Sequence, residues 1–460
     1  MCGRLRKNTS EGRATLSEST NRQSLLRQNF TAQELSERRA RLLERIDGGR
    51  ALLAGATDTP AVGAFRQYND FCYLCGVEVP FAYLLLDAGS GKSTLYLPKH
   101  SDRRERVDGP SLSAADASII TECTGVESVK ESDALAGDLA GTQTLYAPYD
   151  PAEGYMASLD ALQANQKRMD EDPLNGRPSE EKHRNTLLTG LLGRTPRNLS
   201  PILQEMRRIK SPAELDLLRR AGRLCAEATN QAIRCTRPGI FEYQLAALGE
   251  YTYRKHGARG AAYNPIVASG KNIWHPHYWR NDQLLQDGDL ILFDCAPDLH
   301  YYTSDIGRMW PVNGTYDPVQ RRLYGFIVEY HKVLLEEIKA DRTTQQIHDL
   351  AANRMRPYVD AMSFTDDAEE RGVRATLTFH KHLTHGVGMS CHDHSYWGEK
   401  PLVPGAVIAL DPQLWIPEKQ VYIRVEDTVG VTSDGVENFT AAAPLELSDI
   451  ERMIGTGELP

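Results

Sequence analysis

Residues 287–308 read DGDLILFDCAPDLHYYTSDIGR and set two aspartates beside short apolar runs. Asp294 ends the strand-like run Leu290–Asp294, and Asp305 follows it by 11 residues. A turn over Pro297–Leu299 would fold the second run back alongside the first and bring both carboxylates to one side. The stretch therefore predicts two neighbouring strands with an acid near the end of each.

Two further acids end apolar runs of the same kind, Asp411 after residues 406–410 and Glu426 after residues 422–425. Between the two pairs of acids, the glycine-broken segment Thr384–Asp393 carries His385 and His392 and is too polar for ordinary core. Taken singly, each acid also fits a surface position or a salt-bridged strand end. Four carboxylates in one interior, however, would repel each other strongly unless cations compensated them.

A histidine joined to bridging carboxylates suits two divalent ions such as manganese, cobalt or zinc. Ions about 3.5–4 Å apart can hold a hydroxide between them as a nucleophile. We therefore predict a two-metal site formed by these acids and one histidine. The sequence has neither a His-Glu-x-x-His motif nor a Gly-x-Ser-x-Gly motif, so single-zinc protease and serine hydrolase functions lack support.

The remainder of the chain divides into two predicted domains. Residues 29–195 alternate helical and strand-like signals, which predicts a small α/β domain that begins with a helix over Leu35–Ile46. Its strand-like runs lie at residues 51–54, 71–77, 82–87, 94–98 and 144–147. Residues 149–200 are richer in Pro, Gly, Asn and charge, and we interpret them as a connector.

Residues 196–450 form the second predicted domain, of mixed α+β class. Its first helix begins at the capping box Ser211–Glu214, with proline at the first helical position, and ends near Gly239. A second helix spans Phe241–His256, with the following glycine as its C-cap, and a long helix spans Pro318–Lys339. The runs that carry the four acids lie among these helices and after them.

Length and composition exclude several classes of protein. At 460 residues the chain exceeds the ~250–300 residues at which one core stops growing, so two domains are expected. A net charge of −9 argues against a nucleic-acid partner, and a mean hydropathy of −0.46 without long apolar runs argues against a membrane span. Eight scattered cysteines predict reduced thiols. Residues 1–28 lack the apolar segment of a secretion signal and predict a flexible polar tail, with an unusual targeting peptide as the alternative. We therefore expect a cytoplasmic protein.

Two motifs partly match sites of other kinds, a phosphate-binding loop and a redox-active pair of cysteines. Gly89–Thr94 is similar to the end of a phosphate-binding loop, but Leu86 stands where that loop needs glycine and a strand-like run follows, so we predict a hairpin turn. Cys72 and Cys75 have the spacing of a redox motif, but they lie in the apolar run Phe71–Val77, which we interpret as a buried core strand.

Past residue 30 the chain resembles a known family along nearly its whole length. The motifs that carry the resemblance are Arg38–Glu44, Phe65–Phe71, Tyr73–Gly76, Arg208–Glu214, Pro238–Gln244, Tyr263–Asn272, Asp287–Arg308, His385–Asp393, Leu402–Gly405 and Ile423–Asp427. They are similar to the pita-bread metallopeptidases, specifically to their Xaa-Pro aminopeptidase (aminopeptidase P) and prolidase branch. The resemblance implies a C-terminal pita-bread domain preceded by a smaller α/β N-terminal domain.

The resemblance also implies a ligand set. Its members would be Asp294, Asp305, His385, Asp411 and Glu426. In the family, the counterparts of Asp305 and Glu426 bridge two ions. We expect manganese, with cobalt or zinc as alternatives.

Five residues receive other roles from the resemblance. His277 matches a substrate-binding histidine, and His392 matches a histidine that touches the substrate or the charge developed in the reaction. Asp411 takes the place of a glutamate that is also a proposed general base. Arg424 matches an arginine that orients the ligands. His382, with His380 as the alternative, would replace a further histidine of the family's site, where it would contact the substrate or support a ligand.

Several positions depart from the family's pattern. Asp411 is one methylene shorter than the usual glutamate and is followed by Pro-Gln rather than Pro-Gly, which puts metal affinity and rate in question. Gly307 replaces a threonine, and Lys381 stands where aminopeptidases P often carry a histidine. Cys391, like the cysteine after Asp294, is interpreted as packing beside the site, with thiolate ligation as the alternative.

We therefore expect an enzyme that hydrolyses the bond between an N-terminal residue and a following proline through a metal-bridging hydroxide. Its partners would be peptides with proline at the second position, not nucleic acid or membranes, and the chain would form homodimers or homotetramers. A prolidase that cleaves only dipeptides is one alternative. A second alternative is a pita-bread protein that binds peptides without catalysis. Creatinase-like chemistry, which uses no metal, is disfavoured because it would not need so many carboxylates.

Overall fold

The computed structural model describes residues 26, 29–57, 64–394 and 399–460. This part of the chain divides into two compact units: one comprises residues up to Tyr155 with Ala161–Leu203, and the other comprises Met156–Asp160 with Gln204–Pro460. The predicted tail, residues 1–28, lies outside the described residues except for Leu26. Within the described ranges, every helix is too short or too polar to cross a bilayer.

A six-stranded mixed sheet, of strand order β4-β3-β2-β1-β5-β6, forms the centre of the first unit. The strands are β1 Arg50–Ala54, β2 Tyr83–Asp87, β3 Lys92–Leu97, β4 Ser128–Glu131, β5 Leu145–Ala147 and β6 Arg197–Asn198. β1 pairs antiparallel with β2 and parallel with β5. β2 and β3 form an antiparallel hairpin, which confirms the turn predicted around Gly89–Thr94.

Helices surround this sheet at most of the connections between its strands. Up to residue 192 they are α1 Ala32–Leu43, α2 Asn69–Cys75, α3 Asp102–Asp108, α4 Ala117–Thr124, α5 Leu135–Leu139, α6 Leu159–Glu171 and α7 Glu180–Leu192. The segment interpreted as a connector thus contains two 13-residue helices, α6 and α7. α6 has no buried residue, so no apolar run marked it in the sequence.

The strand predicted for Phe71–Val77 is wrong. The run forms helix α2, which ends at Gly76 in the left-handed conformation, with φ of 67°. Six of its seven residues are buried, so it lacks the polar face that would have shown a helical period. A short, wholly apolar run does not distinguish a buried strand from a buried helix.

An antiparallel sheet of strand order β10-β11-β14-β9-β8-β7 forms the centre of the second unit, with β15 paired to β14. The strands of this unit are β7 Ile266–Ser269, β8 Leu290–Asp294, β9 Ile306–Pro311, β10 Leu383–Gly386, β11 Val407–Leu410, β12 Gln413–Ile416, β13 Val421–Arg424, β14 Glu426–Val431 and β15 Val436–Asn438. β12 and β13 form a separate hairpin.

The helices from residue 200 onward supply much of the main hydrophobic core, together with the sheet. They are α8 Ser200–Arg208, α9 Pro212–Cys235, α10 Glu242–Lys255, α11 Pro318–Glu337, α12 Thr344–Asp360, α13 Asp367–Thr376 and α14 Leu447–Met453. The predicted capping box at α9 is confirmed: Glu214 N–H donates to Ser211 Oγ at 3.3 Å, and Ser211 N–H donates to Glu214 Oε2 at 2.9 Å. α10 and α11 lie within two residues of their predicted bounds.

Strand register brings the acids of the predicted site together. Gly307 on β9 lies opposite Asp294 on one side and opposite Glu426 on the other. A Cβ at position 307 would lie 3.2 Å from Glu426 Cβ and 3.3 Å from Arg424 Nε, so glycine permits this close approach. The single strand predicted over residues 422–426 is wrong, because β13 ends at Arg424 and β14 begins at Glu426.

Candidate metal centre

Neighbouring strands deliver the five predicted ligands to one buried position. Asp294 ends β8, Asp305 immediately precedes β9, His385 lies on β10, Asp411 follows β11, and Glu426 begins β14. The four acids are 4%, 4%, 2% and 0% exposed in chain order. Carboxylates buried to this degree need compensating charge.

Arg424, at the end of β13, supplies one positive charge to this group. Its Nη1 donates to Asp294 Oδ2 at 2.8 Å, its Nε donates to Asp411 Oδ1 at 3.0 Å, and its Nη2 donates to Glu426 Oε2. Arg424 thus contacts three of the four carboxylates directly, and Asp305 instead accepts hydrogen bonds from Tyr263 and Cys391. The group therefore carries an excess of negative charge when all four acids are ionised.

His385 faces the bridging pair that the sequence predicted. Its Nε2 lies 3.5 Å from Asp305 Oδ2 and 3.8 Å from Glu426 Oε1. The carbonyl of Gly386, 3.1 Å from Nδ1, assigns the ring proton to that nitrogen and leaves the Nε2 lone pair available. Burial, with repulsion from His392, lowers the pKa of His385 to about 4, so the ring is neutral at neutral pH.

The acids respond unequally to their surroundings. Burial, with repulsion from Asp305, raises the pKa of Asp294 to about 7, and burial raises the pKa of Glu426 well above its ordinary value. Burial also opposes ionisation of Asp305, but His385 and Arg424 outweigh it and lower that pKa. The excess negative charge of the group is thus reduced by protonation when no other cation is present.

These residues fit a divalent-metal centre. Glu426 Oε1 is buried and accepts no hydrogen bond from the described part of the chain, so it has a lone pair without a partner. Ligand atoms of Asp305, His385 and Glu426 lie within 4.8 Å of one another. Carboxylates with a neutral imidazole are ligands that manganese, cobalt and zinc accept.

Two residues that the sequence prediction did not count as site residues also contact these acids. Tyr263 Oη lies 2.7 Å from Asp305 Oδ1 and contacts Asp294 Oδ1, so its proton lies between the two carboxylates. Cys391 Sγ–H donates to Asp305 Oδ2 at 2.9 Å. Burial and the neighbouring acids raise both pKa values well above the ordinary ones, so both groups stay protonated as donors, and Cys391 is a thiol rather than a thiolate.

Asp411 is braced by the residue that departs from the family's pattern. Gln413 Nε2 donates to Asp411 Oδ2 at 2.5 Å, and Trp415 Nε1 donates to Gln413 Oε1 at 3.2 Å. The shorter aspartate is therefore held from both sides, by Gln413 at one oxygen and by Arg424 at the other.

His277 and His392 extend the site outward. The ring of His392 lies 4.0 Å from that of His385 and 6.5 Å from that of His277, measured between centroids. His277 is exposed, so the three imidazoles form a row from the buried carboxylates to solvent. Although His277 is open to solvent on one side, partial desolvation of the ring and repulsion from His392 lower its pKa, which keeps the ring neutral at neutral pH.

His382 does not join this row. Its Nε2 donates to the carbonyl of Thr376 at 2.9 Å, and its Nδ1 accepts from the N–H of Gln413 at 3.3 Å. Its carbonyl accepts from the N–H of Asp411 at 2.7 Å. Both ring nitrogens are occupied, and His382 supports the backbone that carries Asp411. Its expected role at the site, contact with the substrate or support of a ligand, stays a prediction.

Comparisons with known proteins agree with this architecture. Residues 216–433 match the family described as metallopeptidase family M24, and residues 35–146 match the aminopeptidase P N-terminal domain. The Xaa-Pro aminopeptidase of Escherichia coli is 30% identical over 455 residues, which cover 92% of this chain and 98% of that protein. Human Xaa-Pro aminopeptidase 3 is 30% identical over 410 residues, 85% of this chain and 76% of that protein.

A solved structure resembles the chain over a similar extent. It is E. coli aminopeptidase P with the inhibitor Pro-Leu, with a TM-score of 0.74 at 27% identity, over 92% of this chain and 98% of that one.

Proposed function

The chain belongs to metallopeptidase family M24, in its aminopeptidase P branch, and on that premise we propose that it hydrolyses the peptide bond between an N-terminal residue and a following proline. We assign the chemistry to residues 196–450 and the accessory N-terminal domain to residues 29–195. The observation that carries the proposal is the buried group of four carboxylates and a neutral His385, which Arg424 alone does not neutralise.

We propose that this group holds two divalent ions, manganese in the first place and cobalt or zinc as alternatives. The ligands would be Asp294, Asp305, His385, Asp411 and Glu426. The proposal that Asp305 and Glu426 bridge is supported by their common neighbour, His385, which approaches an oxygen of each. Bound ions would supply Lewis acidity for activating water and polarising the scissile carbonyl.

The chain's own residues would manage protons and substrate. Asp411 accepts the proton that water releases, held in place by its hydrogen bonds from Arg424 and Gln413. His392 donates or accepts a hydrogen bond where charge develops on the substrate, and His277 contacts the peptide at the exposed end of the row. Tyr263 holds the carboxylates of Asp294 and Asp305 in fixed positions, because its hydroxyl contacts both.

The test is an assay of the full chain with an Xaa-Pro tripeptide, an Xaa-Pro dipeptide and a matched Xaa-Ala tripeptide, each with and without added Mn²⁺. We expect Mn²⁺-dependent release of the first residue from the Xaa-Pro tripeptide and none from the Xaa-Ala peptide. Asp305→Asn should abolish turnover, whereas Asp216→Asn, which removes an exposed acid of α9, should not. Cleavage of the dipeptide alone would identify a prolidase, and no turnover by the metal-loaded chain would leave a peptide-binding protein.

We further propose a reducing, cytoplasmic location and a homodimer or homotetramer. The seven cysteines that fall within the described ranges are all free, as a reducing compartment favours. Sedimentation equilibrium of the purified chain measures the assembly directly, and a monomer at micromolar concentration would contradict that part of the proposal.

A further inference from the structure

His392 is held by a carboxylate from a distant part of the chain. Asp160 Oδ2 lies 2.7 Å from His392 Nδ1, although 232 residues separate the two. Asp160 belongs to the first turn of α6, in a region outside every motif that suggested the site. Its side chain is 61% exposed, and that of His392 is 33% exposed.

Two more hydrogen bonds fix the geometry of this contact. Ser390 Oγ–H, two residues before His392, donates to the carbonyl of Ala157 at 3.2 Å. Ser158 Oγ–H donates to the other oxygen of Asp160, Oδ1, at 2.7 Å. The segment around Asp160 therefore lies against the loop of His392 at two points, and the carboxylate is oriented before it meets the imidazole.

The contact determines which nitrogen of His392 remains available. A carboxylate at Nδ1 assigns the proton of the neutral ring to that nitrogen, which leaves Nε2 for a second partner. A ring nitrogen of His392 lies within 4.8 Å of a ring nitrogen of His385 and of Cys391 Sγ, so the ring borders the proposed ligands. Rotation of the ring about its side-chain bonds would break the bond to Asp160 and move both nitrogens.

We propose that Asp160 is a positioning residue for His392: it fixes the tautomer and orientation of the ring, so that Nε2 meets the substrate. The inference rests on the proposed function, because it takes His392 as the group that contacts the substrate. The alternative is an exposed ion pair without consequence, since surface pairs commonly contribute little.

The first test compares variants of Asp160. Asp160→Ala should lower kcat for an Xaa-Pro tripeptide about 10-fold or more with little change in KM, as removal of the partner of a functional histidine does. Asp160→Asn retains an oxygen that accepts from Nδ1–H and should recover most of that loss. Glu171→Ala, at the other end of α6, removes an exposed acid of the same helix and should have no effect.

A double-mutant cycle separates positioning from a general charge effect. Once His392→Gln has removed the imidazole, Asp160→Ala should cause no further loss of kcat. Independent losses that multiply in the double variant would overturn the proposal. So would an Asp160→Ala variant with the kcat of the original chain.

A measurement without turnover keeps this inference distinct from the proposed function. The ¹⁵N signals of the His392 ring, assigned by their loss in His392→Gln, should report a proton on Nδ1 and should change in Asp160→Ala. If the chain cleaves no Xaa-Pro peptide, the proposed function fails, and these signals still decide whether Asp160 fixes the ring. Identical signals in the chain with and without Asp160 would overturn the inference.

Discussion

Two buried carboxylate clusters in the second unit differ in how their charge is balanced. The metal-site cluster sets Asp294, Asp305, Asp411 and Glu426 against Arg424. The Asp393 cluster sets the carboxylate of Asp393, 6% exposed, against Arg207 Nη2 at 2.7 Å and Lys210 Nζ at 3.1 Å. The first cluster has four acids for one guanidinium, whereas each carboxylate oxygen of Asp393 has a cation of its own.

The pKa values follow this balance rather than burial. Burial opposes the ionisation of Asp393, but Arg207 and Lys210 outweigh it and hold its pKa well below the ordinary value. In the metal-site cluster, burial with repulsion from Asp305 raises the pKa of Asp294 to about 7. The pKa values of two buried aspartates thus shift in opposite directions, that of Asp294 upward and that of Asp393 downward. The cluster that is short of cations is the one for which we propose a metal, whereas both oxygens of Asp393, which follows His392, are paired with cations.

The largest expected effect on activity follows from Glu426→Gln in the metal-site cluster. This change removes a proposed bridging ligand, so kcat/KM for an Xaa-Pro tripeptide should fall about 10³-fold or more. It also removes a buried acid that lacks a full complement of cations, so the free energy of unfolding of the metal-free chain, measured in urea, should stay equal or rise. Glu171→Gln on α6 is the matched control and should change neither quantity. Near-normal turnover in Glu426→Gln would show that Glu426 is not a metal ligand needed for the reaction.

Asp393→Asn should have the opposite effect on the free energy of unfolding. It removes the buried negative charge that Arg207 and Lys210 share, and the free energy of unfolding should fall by about 3–5 kcal/mol. Urea unfolding monitored by circular dichroism measures this, with the exposed Asp216→Asn expected within about 0.5 kcal/mol of the original chain. A loss below about 1 kcal/mol for Asp393→Asn would show that this cluster is not the structural one.

Tyr263→Phe sharpens the account of the metal-site cluster without changing its charge. The hydroxyl contacts both Asp294 and Asp305, and its loss frees the two carboxylates to reorient. We expect the affinity for Mn²⁺ to fall about 10–100-fold, the usual effect of losing a partner of metal ligands. Equilibrium dialysis measures it, with Tyr251→Phe, an exposed tyrosine of α10, as the control. If Tyr263→Phe binds Mn²⁺ as tightly as the original chain, the hydroxyl of Tyr263 does not hold the metal ligands in place.

The two clusters also predict different pH dependences. A carboxyl group whose pKa is raised on folding contributes stability at low pH, and that contribution is lost as pH rises through the folded value, about 7 for Asp294. Asp393, with its lowered pKa, loses its contribution only at strongly acidic pH. The metal-free chain should therefore unfold a few degrees lower at pH 8 than at pH 5.5.

Added Mn²⁺ should remove that decrease in Tm, because the ions replace the missing positive charge. Asp294→Asn should show a smaller pH effect, since it no longer carries the titrating group. Differential scanning calorimetry gives the Tm of each of the three samples, the metal-free chain, the chain with Mn²⁺ and Asp294→Asn, at both pH values. A metal-free chain that is more stable at pH 8 would contradict the charge balance that distinguishes the two clusters.

The family and the fold class were predictable because both rest on motifs in the sequence. The comparisons confirm the resemblance and the two-domain fold, with the N-terminal domain matched over residues 35–146 and the M24 domain over residues 216–433. The strand runs that end near Asp294 and Asp411 were readable because an acid directly after an apolar run stands out from it. The structure brings those acids together with Asp305, His385 and Glu426.

The remaining features depend on contacts that no local pattern records. Helix α2 has the same apolar composition as a buried strand, and only its packing decides between them. Tyr263 looks like any aromatic residue of a core until strand pairing places it beside Asp294 and Asp305. Asp160 meets His392 across 232 residues, and the excess of negative charge around Arg424 is a property of the assembled strands.

Titration of the metal-free chain with Mn²⁺ by calorimetry at pH 7.5, in two buffers of different ionisation enthalpy, tests whether these acids and His385 form a metal centre. We predict two ions per chain, with protons released as Asp294 and Glu426 ionise, and a loss of stoichiometric binding in Glu426→Gln. The absence of stoichiometric binding to the original chain, or binding that Glu426→Gln leaves unchanged, would contradict the assignment of this cluster as the metal centre.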